Sequence, residues 1–196
     1  MADNNIREAI TLKKKQIRKE ALSRRNQLSK EQVEYASEKI CSRLVETDLY
    51  AQADKLALYV PIKNEVNVML MIEKALGAGK DIYLPRVTGD NMNFYHYEKD
   101  VPFVIGKYNI PEPASHEVLV PDERTLVVMP GAAFSKKCDR IGYGGGYYDR
   151  YLETYNMVKK VAVAYEFQIY EDIPAEATDI KPDYIIGEEH TYGHVN

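Results

Sequence analysis

The sequence predicts an α/β fold of three layers, with a mostly parallel central sheet flanked by helices. Three observations lead there. Residues 55–60 form a short apolar run stopped by Pro61, and residues 81–85 form a second one. A helical pattern lies between them, and this strand–helix–strand order implies a parallel pair joined by a crossover helix. Residues 125–129 are a third apolar run, of the kind that is buried on both faces of a parallel sheet.

Taken in order, residues 6–26 read as a first helix. Ile6, Ile10, Ile17 and Ala21 share one face, and Lys13, Lys14, Lys15, Arg18 and Lys19 crowd the rest. Ser29-Lys30-Glu31-Gln32 has the form of a capping box, starting a second helix with Val33, Ala36, Ile40 and Leu44 on its apolar face. The crossover helix carries Val68, Met71, Ile72 and Ala75 and ends near Gly77 and Gly79. Residues 92–97 alternate and predict a strand. Residues 101–121 are rich in Pro and Gly and are expected to be irregular, with at most short strands. Pro130-Gly131 closes strand 125–129, and a long polar loop is expected up to Gly142. Residues 147–155 predict a helix, with Tyr148, Tyr151, Leu152 and Tyr155 at helical spacing toward the core. Residues 160–165 and 183–186 complete the strands.

The chain of 196 residues is long enough for one domain with a core that needs no staples. Its 26 basic and 30 acidic side chains give a net charge of −4, which argues against a nucleic-acid groove or an anionic membrane as the main partner. Cys41 and Cys138 lack metal-finger spacing, and so few cysteines suit a reducing compartment. No run of about 18 apolar residues suggests a spanning helix, and the polar first 19 residues lack an apolar signal segment, so a cytoplasmic location is expected. The histidines at 96, 116, 190 and 194 are scattered without ligand-pair spacing and receive no role. Cys41 falls on the apolar face of the second helix; Cys138 is expected to be exposed and oxidisable, without being a nucleophile.

The most informative segment is Arg140-Ile141-Gly142-Tyr143-Gly144-Gly145-Gly146-Tyr147-Tyr148-Asp149-Arg150. Clustered glycines let successive N–H groups point into one concavity, and the loop enters the positive end of a helix. Both features suit a phosphate, and Arg140 adds a charge-assisted contact. A plain flexible turn is the alternative. No Gly-Lys-Ser/Thr follows, so it is not a Walker A loop. It is also a poor dinucleotide fingerprint, because no acidic ribose ligand ends a second strand about 20 residues on.

This segment, preceded by Pro130-Gly131-Ala132-Ala133-Phe134 and followed by Tyr151-Leu152, resembles the signature of the 5-formyltetrahydrofolate cyclo-ligase family. Shorter matches occur in the same order along the chain: Lys14 with Arg18, Tyr59-Val60-Pro61 before Asn64-Glu65-Val66, Leu84-Pro85, Ile110-Pro111-Glu112-Pro113, and Tyr165, Gln168, Pro174 and Asp179. The similarity runs from about Lys14 to Glu188. The chain departs from the family at Ser135, where aspartate is usual, at Cys138, where glycine is common, and at Gly187, where threonine is frequent.

The resemblance implies a single Rossmann-like domain over residues 1–196, acting as a monomer. The implied reaction converts 5-formyltetrahydrofolate and ATP, with Mg²⁺, into 5,10-methenyltetrahydrofolate, ADP and phosphate. Phosphorylation turns the formyl oxygen into a leaving group, and N10 closes the ring. The nucleophiles belong to the substrate, so the protein has to align and to stabilise charge. By resemblance, Arg140, Tyr147 and Asp149 are catalytic. Lys14, Arg18, Arg140, Gly142, Tyr143, Gly144, Gly145, Gly146, Tyr147 and Tyr148 hold ATP, although helical spacing also assigns Tyr148 to the core. Val60, Glu65, Tyr143 and Tyr147 contact the folate, with Glu65 bonding the pterin. Asp149 and Asp179 are the magnesium carboxylates.

Each has a plainer alternative: a solvated basic face for Lys14 and Arg18, strand core for Val60, and packing for any of sixteen tyrosines. Asp149 also suits a first-turn position favoured by the helix dipole, and Asp179 a loop acid with Asp183 as its competitor. A non-catalytic folate- or nucleotide-binding module, motivated by Ser135 and Cys138, and a nucleotide-cofactor oxidoreductase, suggested by the glycine loop, are the competing functions.

Overall fold

The computed structural model describes residues 2–176 and 178–193, without the side chains of residues 2–6 and 108. The predicted role of Ile6 on the first helix and the placement of His194 therefore lie outside the described residues.

Helix α1 spans Ala2–Arg25. Its Ile17 and Ala21 pack against Ala133, Ile141 and Ile173. Helix α2, Lys30–Val45, begins at the expected capping box: the Ser29 hydroxyl accepts from the Gln32 N–H, and the Gln32 side chain accepts from the Ser29 N–H at 2.8 Å. A short α3, Asp48–Gln52, was not foreseen; Thr47 caps it by accepting from the Tyr50 N–H at 3.2 Å.

Strand β1, Lys55–Ala57, is shorter than its apolar run, although the Leu58 N–H still donates to the Tyr83 carbonyl at 2.9 Å. The crossover is a 3₁₀ turn, Val68–Met71, that continues as α4, Ile72–Gly77. Then come β2, Asp81–Thr88, and β3, Asn91–His96, an antiparallel pair. The Pro/Gly-rich segment holds only the two-residue strands β4, Val104–Ile105, and β5, Pro111–Glu112. Strand β6 is Thr125–Met129, as the apolar run predicts.

The expected long polar loop before Gly142 is instead a buried hairpin of β7, Ala133–Ser135, and β8, Arg140–Ile141. Its mixed small, polar and charged residues do not alternate and so give no period-2 signal, yet Ala133, Phe134 and Ser135 are wholly buried. Helix α5, Tyr147–Thr154, follows, then β9, Lys159–Val163, β10, Ile169–Tyr170, β11, Tyr184–Ile186, and β12, Thr191–Gly193.

The seven-stranded sheet runs β12-β11-β9-β6-β1-β2-β3. The five inner strands are parallel; only β3 and β12, at the edges, are antiparallel to their neighbours. Alternation sends Leu126 and Val128 to one face and Val127 and Met129 to the other. The first face packs on α2, α3 and α4 through residues such as Ile40, Leu44, Tyr50 and Ala75. The second packs on α5 through Tyr151 and Leu152 and on Phe134 of the hairpin. The result is the expected mostly parallel sheet between helical layers. Among the described residues no helix is long and apolar enough to cross a membrane.

Candidate active site

Strands β1 and β6 lie side by side, but the chain leaves them in opposite directions, to β2 on one flank and β9 on the other. Such a reversal opens a crevice beyond the strands' carboxyl ends. Here those ends lead into Tyr59-Val60 and Pro130-Gly131. The cavity at this point has a volume of about 580 Å³, within the range of about 300–1,000 Å³ usual for small-molecule sites. Every predicted site residue lines it: Lys14 and Arg18 from α1, Val60 and Glu65 from beyond β1, the stretch 140–149, and Asp179.

At one end the glycine loop is held from both sides. Gly144 and Gly146 have φ of 99° and 65°, and Gly146 caps α5. A Cβ on Gly145 would stand 2.8 Å from the Tyr147 ring. The Arg18 Nε donates to the Gly142 carbonyl at 2.7 Å, so α1 fastens the loop.

Arg140 is buried and donates to Asp149 Oδ1 at 2.6 Å and to the Pro130 carbonyl at 3.3 Å. The same Asp149 oxygen accepts from the Ile180 N–H at 3.2 Å. Lys14 is not part of a solvated face: its ammonium donates to Asp179 Oδ2 at 2.6 Å and to Glu176 Oε2 at 2.7 Å. Burial works against its charge, but these two carboxylates prevail and hold its pKa above the ordinary lysine value. Thus Lys14 and Arg140 each have carboxylate counter-charges, whereas Arg18 keeps its charge and only donates a hydrogen bond to a carbonyl.

Elsewhere in the lining, Glu65 is buried and joined to the loop through Tyr143. Its Oε2 accepts from the Ile62 N–H at 2.8 Å, and its Oε1 accepts from the Tyr143 hydroxyl. Burial pushes its carboxyl pKa up, against the pull of Tyr143, Ile62 and Arg25. Val60 lies beyond the end of β1, half-buried against the cavity rather than in strand core. The Tyr147 hydroxyl accepts from Lys107 Nζ at 3.0 Å, and Arg150 lies over its ring at 5.1 Å. Tyr148 lines the cavity and also packs as a core residue, with its ring edge-on to Phe94 at 6.1 Å.

Several lining residues were missed. Lys107, Ile110 and Glu112 come from the segment read as irregular. The Ile110-Pro111-Glu112-Pro113 match was noted but given no role. Glu112 is buried, accepts from the Val87 N–H at 3.1 Å, and needs Gly106 bare, because a Cβ there would overlap its carboxylate.

Two carboxylates, Asp149 and Asp179, meet the cavity at the glycine-loop end. Among the described residues no three His, Cys, Asp or Glu side chains form a metal cage. Magnesium usually takes one or two carboxylates and completes its shell with phosphate oxygens and water. The donor set therefore suits a magnesium ion that arrives on a phosphate.

The model of the 5-formyltetrahydrofolate cyclo-ligase family matches residues 10–188. The chain belongs to that family. The 5-formyltetrahydrofolate cyclo-ligase of Haemophilus influenzae is 30% identical, over 87% of this chain and 95% of its own. Among solved structures, the 5,10-methenyltetrahydrofolate synthetase of Aquifex aeolicus superposes with a TM-score of 0.82 at 34% identity, covering 93% of each chain. That of Mycoplasma pneumoniae gives 0.69 at 28% identity, covering 90% of this chain and 99% of its own.

The three departures from the cyclo-ligase pattern have local explanations. The Ser135 hydroxyl accepts from the Lys137 and Asp139 N–H groups at 3.2 and 3.1 Å and donates to Asp139 Oδ2 at 2.7 Å. It braces the β7–β8 turn as a short acceptor should. Cys138 has φ of 64°, a conformation that glycine adopts without cost. Contrary to expectation it is buried, and burial pushes its thiol up to about 11, so it is not a readily oxidised group. Gly187 leaves room for Glu166, whose Oε1 would stand 2.4 Å from a Cβ there.

Proposed function

We propose that this chain uses ATP and Mg²⁺ to convert 5-formyltetrahydrofolate into 5,10-methenyltetrahydrofolate, releasing ADP and phosphate. One observation carries the reading. A single cavity at the β1–β6 reversal joins a cationic glycine loop and two carboxylates to an apolar wall with a buried glutamate. The first end suits a triphosphate with its metal, the second a pterin.

In this reading the bare N–H groups of residues 142–146, with Lys14 and Arg18, hold the phosphates. Asp149 and Asp179 hold Mg²⁺, which neutralises phosphate charge. Arg140 faces the transferring group and keeps Asp149 in place. Val60, Glu65, Tyr143 and Tyr147 orient the folate. The formyl oxygen attacks the γ-phosphorus, and the bond to ADP breaks with its electron pair leaving on ADP. The N10 lone pair then attacks the formyl carbon, the carbon–oxygen bond breaks, phosphate departs and N10 loses its proton. No protein nucleophile is needed, so the rate comes from alignment and fixed charge.

Incubation with 5-formyltetrahydrofolate, Mg²⁺ and ATP is expected to produce the methenyl absorbance, with one ADP per product. Omission of ATP should prevent it. Folded protein that yields no absorbance with all three present would overturn the reading. Tight ligand binding without ATP turnover would instead favour the non-catalytic module that Ser135 and Cys138 motivate.

A further inference from the structure

Arg25 lies at the end of α1 and does not line the cavity, yet it contacts two residues that do. It is 2% exposed. Its Nη1 donates to the Tyr143 hydroxyl at 2.5 Å and stands 3.6 Å from Glu65 Oε1. Its guanidinium carbon sits 5.5 Å from the centre of the Tyr143 ring. The backbone is tied to the same place: Asn64 Nδ2 donates to the Arg25 carbonyl at 3.1 Å and to the Leu28 carbonyl at 2.9 Å. The end of α1 is thus stitched to the loop that carries Glu65.

We infer that Arg25 is a positioning residue: from behind the cavity wall it fixes the Glu65 carboxylate and the Tyr143 phenol as one unit that presents acceptor oxygen to the N–H edge of the pterin. The inference rests on the folate reading of this end of the cavity. A planar fork suits the task, because one guanidinium reaches a carboxylate and a phenol at once, which an ammonium does less well.

The groups around Glu65 make Arg25 decisive. Tyr143 bonds it, and Tyr59, Tyr148 and Tyr165 stand near enough to interact with it electrostatically. All four phenols are pushed up by burial and stay neutral near neutrality. Among the described residues Arg25 is the one cation in contact with the carboxylate. Without it, a buried carboxylate takes up a proton more readily. A protonated Glu65 offers the pterin a poorer acceptor.

The test compares wild type with Arg25→Met and Arg25→Lys. Titration of the Glu65 carboxyl is followed by carbon NMR in the ligand-free protein, with Glu65→Gln for assignment. The Met variant is expected to titrate at higher pH than wild type. Its KM for 5-formyltetrahydrofolate should rise about tenfold or more while the KM for ATP stays within about twofold. The folate KM of the Met variant should also improve with rising pH relative to wild type. The Lys variant, which keeps the charge, should restore the titration and recover most of the KM. Should Arg25→Met not fold, the Lys variant decides: a wild-type titration with a folate-selective KM rise of about twofold to fivefold supports the inference.

An unchanged Glu65 titration in the Met variant, or equal rises in both KM values, overturns the inference. Wild-type protein with no turnover overturns the folate reading instead, and the titration still judges the link between Arg25 and Glu65.

Discussion

The bond between Arg140 and Asp149 ties stability to chemistry at the level of single residues. Arg140's side chain is 5% exposed and Asp149's 33%. Asp149→Asn would leave a buried guanidinium without its counter-charge. Breaking such a pair costs about 3–5 kcal/mol when both partners are buried, and about 1–3 kcal/mol is expected here because Asp149 is partly solvated. Turnover of 5-formyltetrahydrofolate should fall by about a hundredfold or more, since the same oxygens are the proposed metal ligands. Urea unfolding and initial rates measure the two losses; near-normal rates at saturating Mg²⁺ would contradict the proposed metal role of Asp149.

Residue by residue, what could be read from the sequence depended on how far apart the partners are. Gly142 to Gly146 announce a bare-backbone loop within a few positions, so the loop needed no tertiary knowledge. Lys14 and Arg18 were visible as a pair one turn apart. Their separate partners, the acids at 176 and 179 and the carbonyl at 142, were not. Arg25 was missed because it follows Arg24 in what reads as a solvated helix end, while its phenol partner is 118 positions away.

Among the elements, those with a clean period or a local cap were legible: α2 from its capping box, β6 from its apolar run, and the crossover from its helical spacing. The β7–β8 hairpin was not, because its burial comes from packing against α1 and α5 rather than from an alternating pattern. Cys138 tests its geometry. A left-handed residue other than glycine costs about 1–2 kcal/mol, and a buried cysteine side chain returns about as much. Cys138→Gly is therefore expected to change stability by less than about 1 kcal/mol, whereas β-branched Cys138→Val should lose about 2 kcal/mol or more. Thermal melts of the two variants check the difference, and equal losses would contradict it.

The β11–β12 connection offers a second test. Burial pushes the Glu166 carboxyl up, but the His190 and Glu189 N–H groups, at 2.9 and 3.0 Å, and the Tyr192 hydroxyl, at 3.0 Å, hold it below its ordinary value of 4.5. A depressed folded pKa adds stability that is present above pH 4.5 and lost as the pH falls through the folded value. Glu166→Gln should cost about 1 kcal/mol at pH 7 and flatten the fall in melting temperature on acidification. An unchanged acid limb would show that Glu166 contributes nothing there.

For the whole molecule, the sheet order was only partly legible: strands and crossover predicted the parallel pair, but nothing local marks where the order reverses between β1 and β6. That reversal makes ligand binding global, because the cavity draws on α1, on the ends of two central strands and on α5. A ligand that binds only the folded state at about 100 times its Kd adds about 2.7 kcal/mol. In a chain of this size that raises the melting temperature by roughly 5–10 °C. MgATP and 5-formyltetrahydrofolate should each shift the melt upward, and NAD(P) should not. A shift with NAD(P) alone would favour the oxidoreductase reading.

The clasp between the Arg18 guanidinium and the Gly142 carbonyl joins groups 124 positions apart. During synthesis, then, the early helix must wait, its fastening point still unmade inside the ribosome, until about three quarters of the polypeptide has followed it out. Nascent chains stalled before residue 142 are bound to lack a working pocket, however well their first strands have paired.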